Sequence, residues 1–150
     1  MEPPCNHISL TRLVVRPADM DADRNVSNVA YFEYFFQSRL EHLSRLGVLR
    51  PGVFTGGNLF ALAENSCRYM APSYYGDVLL LWTATHAVGR SSFQLVYRAW
   101  RERDGLLIAT AHSVQVWLDH DNKSTPLPAS VRDALTASVC PDLPKTASHN

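Results

Sequence analysis

The sequence has no excess of either charge: 14 basic residues stand against 14 acidic ones in a chain of 150. A protein that grips a nucleic acid or an anionic membrane needs a basic surplus, so neither partner is expected. Cysteine is scarce, and its three copies, Cys5, Cys67 and Cys140, are odd in number and widely spaced. They match neither a disulfide framework nor a CxxC zinc or redox site, and a reducing cytoplasm is the expected compartment. No apolar run approaches about 18 residues, and the first residues, Met1-Glu-Pro-Pro-Cys5, lack the basic and apolar segments of an export signal. Neither a membrane span nor export is expected. His42, His86, His112 and His120 show no metal-ligand spacing, and the chain contains no Gly-x-Ser-x-Gly. That leaves a metal centre and a serine nucleophile elbow without support.

What is present is enough for one core, since 46% of the residues are apolar and the length suits a single domain. Residues 8–16 read as a strand ended by Pro17, which cannot continue a central ladder. From Asn28 to Leu46 the apolar side chains Phe32, Phe35, Phe36, Leu40, Leu43 and Leu46 recur at three- and four-residue steps, with Glu33, Gln37, Glu41 and Ser44 opposite. This predicts one long amphipathic helix stopped at Gly47. A loop over residues 50–57, rich in glycine and proline, then leads to four strands over residues 58–70, 77–88, 91–101 and 106–118. The last three, on very short links, form an antiparallel meander. One helix cannot cover both faces of five strands, so the sequence predicts an α+β fold in which a five-stranded antiparallel sheet wraps the helix. The exposed sheet face and edges then predict association into a homodimer and, beyond it, a homotetramer. A short helix is expected over residues 128–137 and a flexible tail over 138–150.

Ahead of the long helix the sequence reads Asp19-Met-Asp-Ala-Asp23, with an acid at every second position. A calcium loop begins this way, but it needs glycine at its sixth position and glutamate at its twelfth, where this chain has Arg24 and Ala30. Carboxylates are also favoured at helix N-termini, where N–H groups lack partners and the helix dipole is positive, with Ser27 or Asn28 as the cap. Asp21 lies seven residues before Asn28, so the loop can fold back and set a carboxylate beside the free N–H groups of the first turn. A carboxylate facing an oxyanion site suits acyl transfer to water.

The stretch Asp19-Met-Asp-Ala-Asp-Arg-Asn-Val-Ser-Asn-Val-Ala-Tyr-Phe-Glu-Tyr-Phe-Phe-Gln-Ser-Arg39 resembles the D-x-D-x-x-G-x-V-x-N-x-x-Y-x-x-Y-x-x-x-A-R signature of hotdog-fold thioesterases of the 4-hydroxybenzoyl-CoA thioesterase type. A second block agrees: Tyr69-Met-Ala-Pro-Ser-Tyr-Tyr-Gly-Asp77 and Gly89-Arg-Ser-Ser-Phe93 are similar to the Y-x-x-P-x-x-x-G-D and G-x-S-S-F segments of that family. The resemblance implies a single hotdog domain over residues 1–137 that hydrolyses acyl thioesters of CoA or of an acyl carrier protein without a cofactor. Asp21 takes the place of the catalytic carboxylate, as nucleophile or general base, and the Asn28 N–H that of the oxyanion donor. Arg90, Ser91 and Ser92 fall where the family runs near pantetheine and nucleotide. The chain departs from the signature at Arg24 for glycine, Asn25 for a frequent histidine, Ser27 for asparagine and Ser38 for alanine. Two other functions stay open: a non-catalytic module that binds acyl thioesters, and a polyketide-biosynthesis thioesterase restricted to carrier-bound chains.

The acyl pocket is expected to involve Tyr31, Phe35, Arg39 and Glu64. Arg39 falls about 20° from Asn28 on a helical wheel, amid the apolar arc, so it should be buried and paired with a carboxylate or carbonyl. Glu64 and Asp77 are the carboxylates considered for it. Phe35, Phe36, Phe54 and Phe60 are expected to set the depth of the pocket.

Overall fold

The computed structural model describes residues 2–49 and 59–145. Its elements in chain order are β1 (Ser9–Val14), a 3-10 turn at Pro17–Asp19, α1 (Asn28–Arg45), β2 (Phe60–Tyr69), β3 (Val78–Val88), β4 (Ser92–Arg101), β5 (Leu106–Trp117) and α2 (Ala129–Ala137). The strands form one sheet in the order β1-β3-β4-β5-β2, and each neighbouring pair is antiparallel. The expected meander is therefore β3-β4-β5, flanked by β1 and β2 as edges. The expected 50–57 loop, the start of the next strand at Asn58 and the contribution of Phe54 lie outside the described residues.

The face of α1 that meets the sheet carries Tyr31, Tyr34, Phe35, Ser38, Arg39, His42 and Leu43, all buried. Phe35 and Leu43 are fully enclosed with Leu79, Leu81, Leu95 and Tyr97 from the central strands. Phe36, expected on this face, is instead 52% exposed, because its position about 80° from Asn28 lies at the margin of the buried arc. The helix stops where glycine predicts: Gly47 adopts φ +78° and its N–H reaches Ser44 O at 3.1 Å. His42 is fully buried, with Nδ1 2.6 Å from Ser9 Oγ and Nε2 3.1 Å from Thr85 Oγ1. Burial, reinforced by nearby Arg45, pushes its pKa down to about 4.

The opposite sheet face holds a second cluster of Ile8, Trp82, Ala84, Val96, Cys140 and Leu143, with Trp82 and Trp100 ring centroids 5.0 Å apart. Two expectations are corrected here. The chain after α2 is packed rather than loose from residue 138: Ser138, Cys140 and Leu143 are buried, and Cys140 N–H donates to Thr85 O at 3.0 Å. Cys5 and Cys140 form a disulfide across 135 residues of sequence, leaving Cys67 as a free thiol. Spacing could not reveal this pair, because both ends of the chain return to one sheet face only in three dimensions. Among the described residues no helix is long and apolar enough to cross a membrane.

Candidate active site

The loop between β1 and α1 is built on Asp19. This residue is only 3% exposed, and its carboxylate accepts from the Tyr34 hydroxyl at 2.7 Å, the Arg16 N–H at 2.9 Å and Arg16 Nη2 at 2.9 Å. Its carbonyl also accepts from Ser27 N–H at 2.8 Å, tying the loop to the residue that caps α1. Burial works to raise the carboxyl pKa, but the Arg16 side chain, the Arg16 N–H and the Tyr34 hydroxyl outweigh it and hold the group below the usual carboxylate range. These contacts make Asp19 the anchor of the turn.

Asp21 lies on the exposed side of the same turn. Its Oδ1 accepts from the N–H groups of Asp23 at 2.9 Å and Asn25 at 3.3 Å, an Asx turn that orders the loop from within. Asp21 N–H donates to Asn25 O at 2.9 Å, and Met20 pairs with Val26 across the loop. Arg24, in the family's glycine position, has φ +63°. The loop thus retains the left-handed backbone that favours glycine while carrying a side chain that disfavours it.

Immediately beyond, Ser27 caps α1 by accepting from Ala30 N–H at 3.1 Å. Asn28 and Val29 follow the cap, and their N–H groups have no acceptor within the helix. A cleft of about 310 Å³ brings these parts together. Asp21, Asn25 and Asn28 form its polar side, and Val26, Tyr31, Tyr69, Ala71 and Pro72 its apolar side. The Tyr31 and Tyr69 rings meet at 5.3 Å, and the Tyr69 hydroxyl donates to Asn28 O at 3.2 Å. Burial raises the Tyr31 pKa and pushes that of Tyr69 up to about 12, so both present neutral hydroxyls. Tyr69, Ala71 and Pro72 were not among the expected site residues, although the Y-x-x-P block that contains them was the available signal.

The other expected pocket residues lie elsewhere. Phe35 is fully buried in the interior, its ring 5.1 Å from that of Tyr97. Arg39 is buried as expected, but neither carboxylate considered for it is its partner: Nε donates to the Tyr97 hydroxyl at 2.8 Å. Asp77 pairs with Arg103 at 3.0 Å, and Glu64 is an exposed residue of β2, 3.7 Å from His112. Arg90, Ser91 and Ser92 lie at the β3–β4 turn, where the carbonyls of Arg90 and Ser91 accept from Leu127 N–H at 2.9 Å and Trp117 N–H at 2.7 Å. None of these side chains lines the cleft that holds Asp21. Among the described residues, no three His, Cys, Asp or Glu side chains converge on a common metal position.

Residues 15–135 match the sequence profile of the thioesterase-like superfamily. The chain belongs to that superfamily. Its five-stranded antiparallel sheet and long helix are the hotdog fold of this group. Among relatives of this thioesterase-like chain, an acyl-acyl carrier protein thioesterase of Arabidopsis thaliana chloroplasts, ATL3, is 23% identical over 120 residues, covering 80% of this chain and 63% of its own length. The 1,4-dihydroxy-2-naphthoyl-CoA hydrolase of Thermosynechococcus vestitus is 29% identical over 122 residues, covering 75% of this chain and 84% of that protein. A Thermus thermophilus thioesterase, solved with coenzyme A and zinc, superposes with a TM-score of 0.76 at 26% identity, covering 87% of this chain and 92% of that one.

Proposed function

We propose that this protein hydrolyses acyl thioesters carried by CoA or by the phosphopantetheine arm of a carrier protein. The observation that carries this reading is one cleft lined by both the Asp21 side chain and the first residue of α1, Asn28. A thioester carbonyl directed at the Asn28 N–H places its oxygen at the positive end of the helix, where charge developing on that oxygen is stabilised. Asp21 drives the attack, either adding to the carbonyl carbon itself or taking a proton from the water that adds. Collapse of the tetrahedral intermediate breaks the C–S bond, and the products are a carboxylic acid and a free thiol. The Tyr31 and Tyr69 rings supply a wall that excludes bulk water from the acyl group.

The relatives named for carrier-protein and CoA thioesters support both carriers without choosing between them. Arg90, Ser91 and Ser92 are proposed to contact the pantetheine or nucleotide of the carrier, and Phe35 to back the acyl pocket from inside. A dimer is proposed because Val29 and Phe36, one heptad apart on α1, are 69% and 52% exposed, while Leu62 on edge strand β2 is 43% exposed. A second copy can cover this apolar stripe, and the active site then lies at the subunit interface. Glu64, on the same edge strand, becomes part of the pocket only in that assembly.

The test is thiol release from aromatic, short-chain, long-chain and carrier-bound acyl thioesters measured side by side. Turnover of at least one class is expected. Silence across the panel, with acyl-CoA binding intact, contradicts hydrolysis and identifies a binding module.

A further inference from the structure

Arg39 is a cation with no counter-ion among the described residues. It is 3% exposed, and its Nη2 has no hydrogen-bond partner among the described residues. Its Nε bond leads into a buried chain of neutral groups: the Tyr97 hydroxyl is 2.6 Å from Ser113 Oγ, which accepts from Gln115 Nε2 at 2.5 Å. Residues 1, 50–58 and 146–150 contain no aspartate or glutamate side chain. The guanidinium carbon lies 5.9 Å from the Phe36 ring centroid and 5.8 Å from that of Tyr97, which offsets part of the penalty but neutralises none of the charge. A buried guanidinium with an unused N–H is poised for an anionic oxygen from outside the chain.

The helix says where that oxygen comes from. Asn28, Phe32, Phe36 and Arg39 fall within an arc of about 80°, with Arg39 only about 20° from Asn28. Arg39 is about 16 Å along the axis from Asn28, and its side chain leans back toward the helix N-terminus. None of Phe32, Phe36 and Arg39 lines the cleft at Asn28, so a ligand anchored at the Asn28 N–H would have to extend beyond that cleft, down this face past Phe32 and Phe36, to reach the free Nη2. Phe36, half exposed, is the side chain that must swing aside to admit it.

We propose that Arg39 recognises the far end of the acyl group, and that the preferred thioesters carry a carboxylate there, remote from the thioester carbonyl. The proposal rests on the hydrolase reading of the Asp21 cleft and deepens it by naming a substrate class. It is tested with CoA esters of matched length, from four to ten carbons, each as the simple acyl form and as the form ending in a carboxylate. Wild-type protein is expected to favour the carboxylate form at one length by at least tenfold in kcat/KM. Arg39→Met should bring that ratio to about one, and Arg39→Lys should keep part of it. Removing an unpaired buried charge should also raise the melting temperature of Arg39→Met rather than lower it.

A wild-type ratio of one or less at every length overturns the proposal, as does a ratio that Arg39→Met leaves intact. If Arg39→Met preserves the ratio but disrupts self-association, the counter-ion belongs to a second copy and the proposal falls. If no ester releases thiol, the hydrolase reading fails separately. The recognition claim is then decided by calorimetry with non-hydrolysable thioether analogues, where equal affinity for neutral and carboxylate forms refutes it. Should Arg39→Met fail to fold, the same analogues are compared on wild-type protein by thermal shift. The carboxylate form must give the larger shift.

Discussion

Asp19 and Asp21 stand two residues apart in one loop, yet Asp19 is buried under Tyr34 and Arg16 while Asp21 faces an open cleft. Asp19 spends its lone pairs on side chains and N–H groups that join the turn to α1. Asp21 uses Oδ1 to accept from its own loop and lines the cleft that also contains Asn28. A carboxylate already saturated by donors is held in the charged form and has little left for a substrate. One that is ordered but unsaturated can still accept a proton or attack a carbonyl. On the proposed reading, holding and reacting are divided by what each side chain touches, not by residue type.

The comparison is sharpest where the two replacements separate. Asp21→Asn is expected to lower kcat by about 10²–10⁴ with little change in melting temperature, since it keeps the size of the side chain and an acceptor for the loop. Steady-state thiol release and thermal unfolding on one preparation check both halves. Asp19→Ala should do the reverse, costing about 2–4 kcal/mol of stability because the Tyr34 hydroxyl is left buried without its partner. Urea unfolding measures this. Equal losses in rate and stability for both variants would erase the distinction.

Sequence singled out Asp21 by its spacing from Asn28 and by the family signature, but it did not show that Asp19 is buried. Alternation of Asp19, Asp21 and Asp23 is visible in the chain, whereas burial of Asp19 depends on Tyr34, fifteen residues later, turning its hydroxyl back under the loop. The long helix and all five strands were legible because their apolar patterns are clear and most of their boundaries carry glycine or proline. Arg39 was readable as buried from its place on the wheel, but its partner was not. A carboxylate is the usual answer, and the structure gives Tyr97, 58 residues away on β4, which becomes a neighbour only once α1 packs on the sheet. The Cys5–Cys140 pair was invisible for the same reason, since nothing local marks two chain ends that meet on one sheet face.

Acid titration sharpens the comparison further. The lowered pKa of Asp19 means that its charged form stabilises the fold. This contribution is full above the unfolded value of about 4 and is lost as pH falls through the folded value. The wild-type advantage over Asp19→Asn should shrink accordingly in urea unfolding below about pH 4. His42 acts at higher pH: with a folded pKa of about 4 against an ordinary 6.5, it makes the fold lose stability as pH falls from 6.5 toward 4, because only the unfolded imidazole takes up a proton there. That earlier loss should be absent from a His42→Gln variant.

The smallest effect is expected at Arg24, where φ is +63°. Arg24→Gly relieves the left-handed backbone at the cost of a looser unfolded chain, for a net gain of about 0.5–1 kcal/mol. A rise in the urea midpoint checks it. A fall would mean that the Arg24 side chain contributes more than its backbone costs.

The central claim, that Asp19 holds the loop and Asp21 does the chemistry, is tested most directly by chemical rescue. Thiol release by Asp21→Ala and Asp19→Ala is measured side by side, with and without added formate. The account predicts that Asp21→Ala remains folded, loses at least 100-fold in rate and recovers part of it with formate, while formate does nothing for Asp19→Ala. Asp21→Ala turning over at the wild-type rate would contradict it.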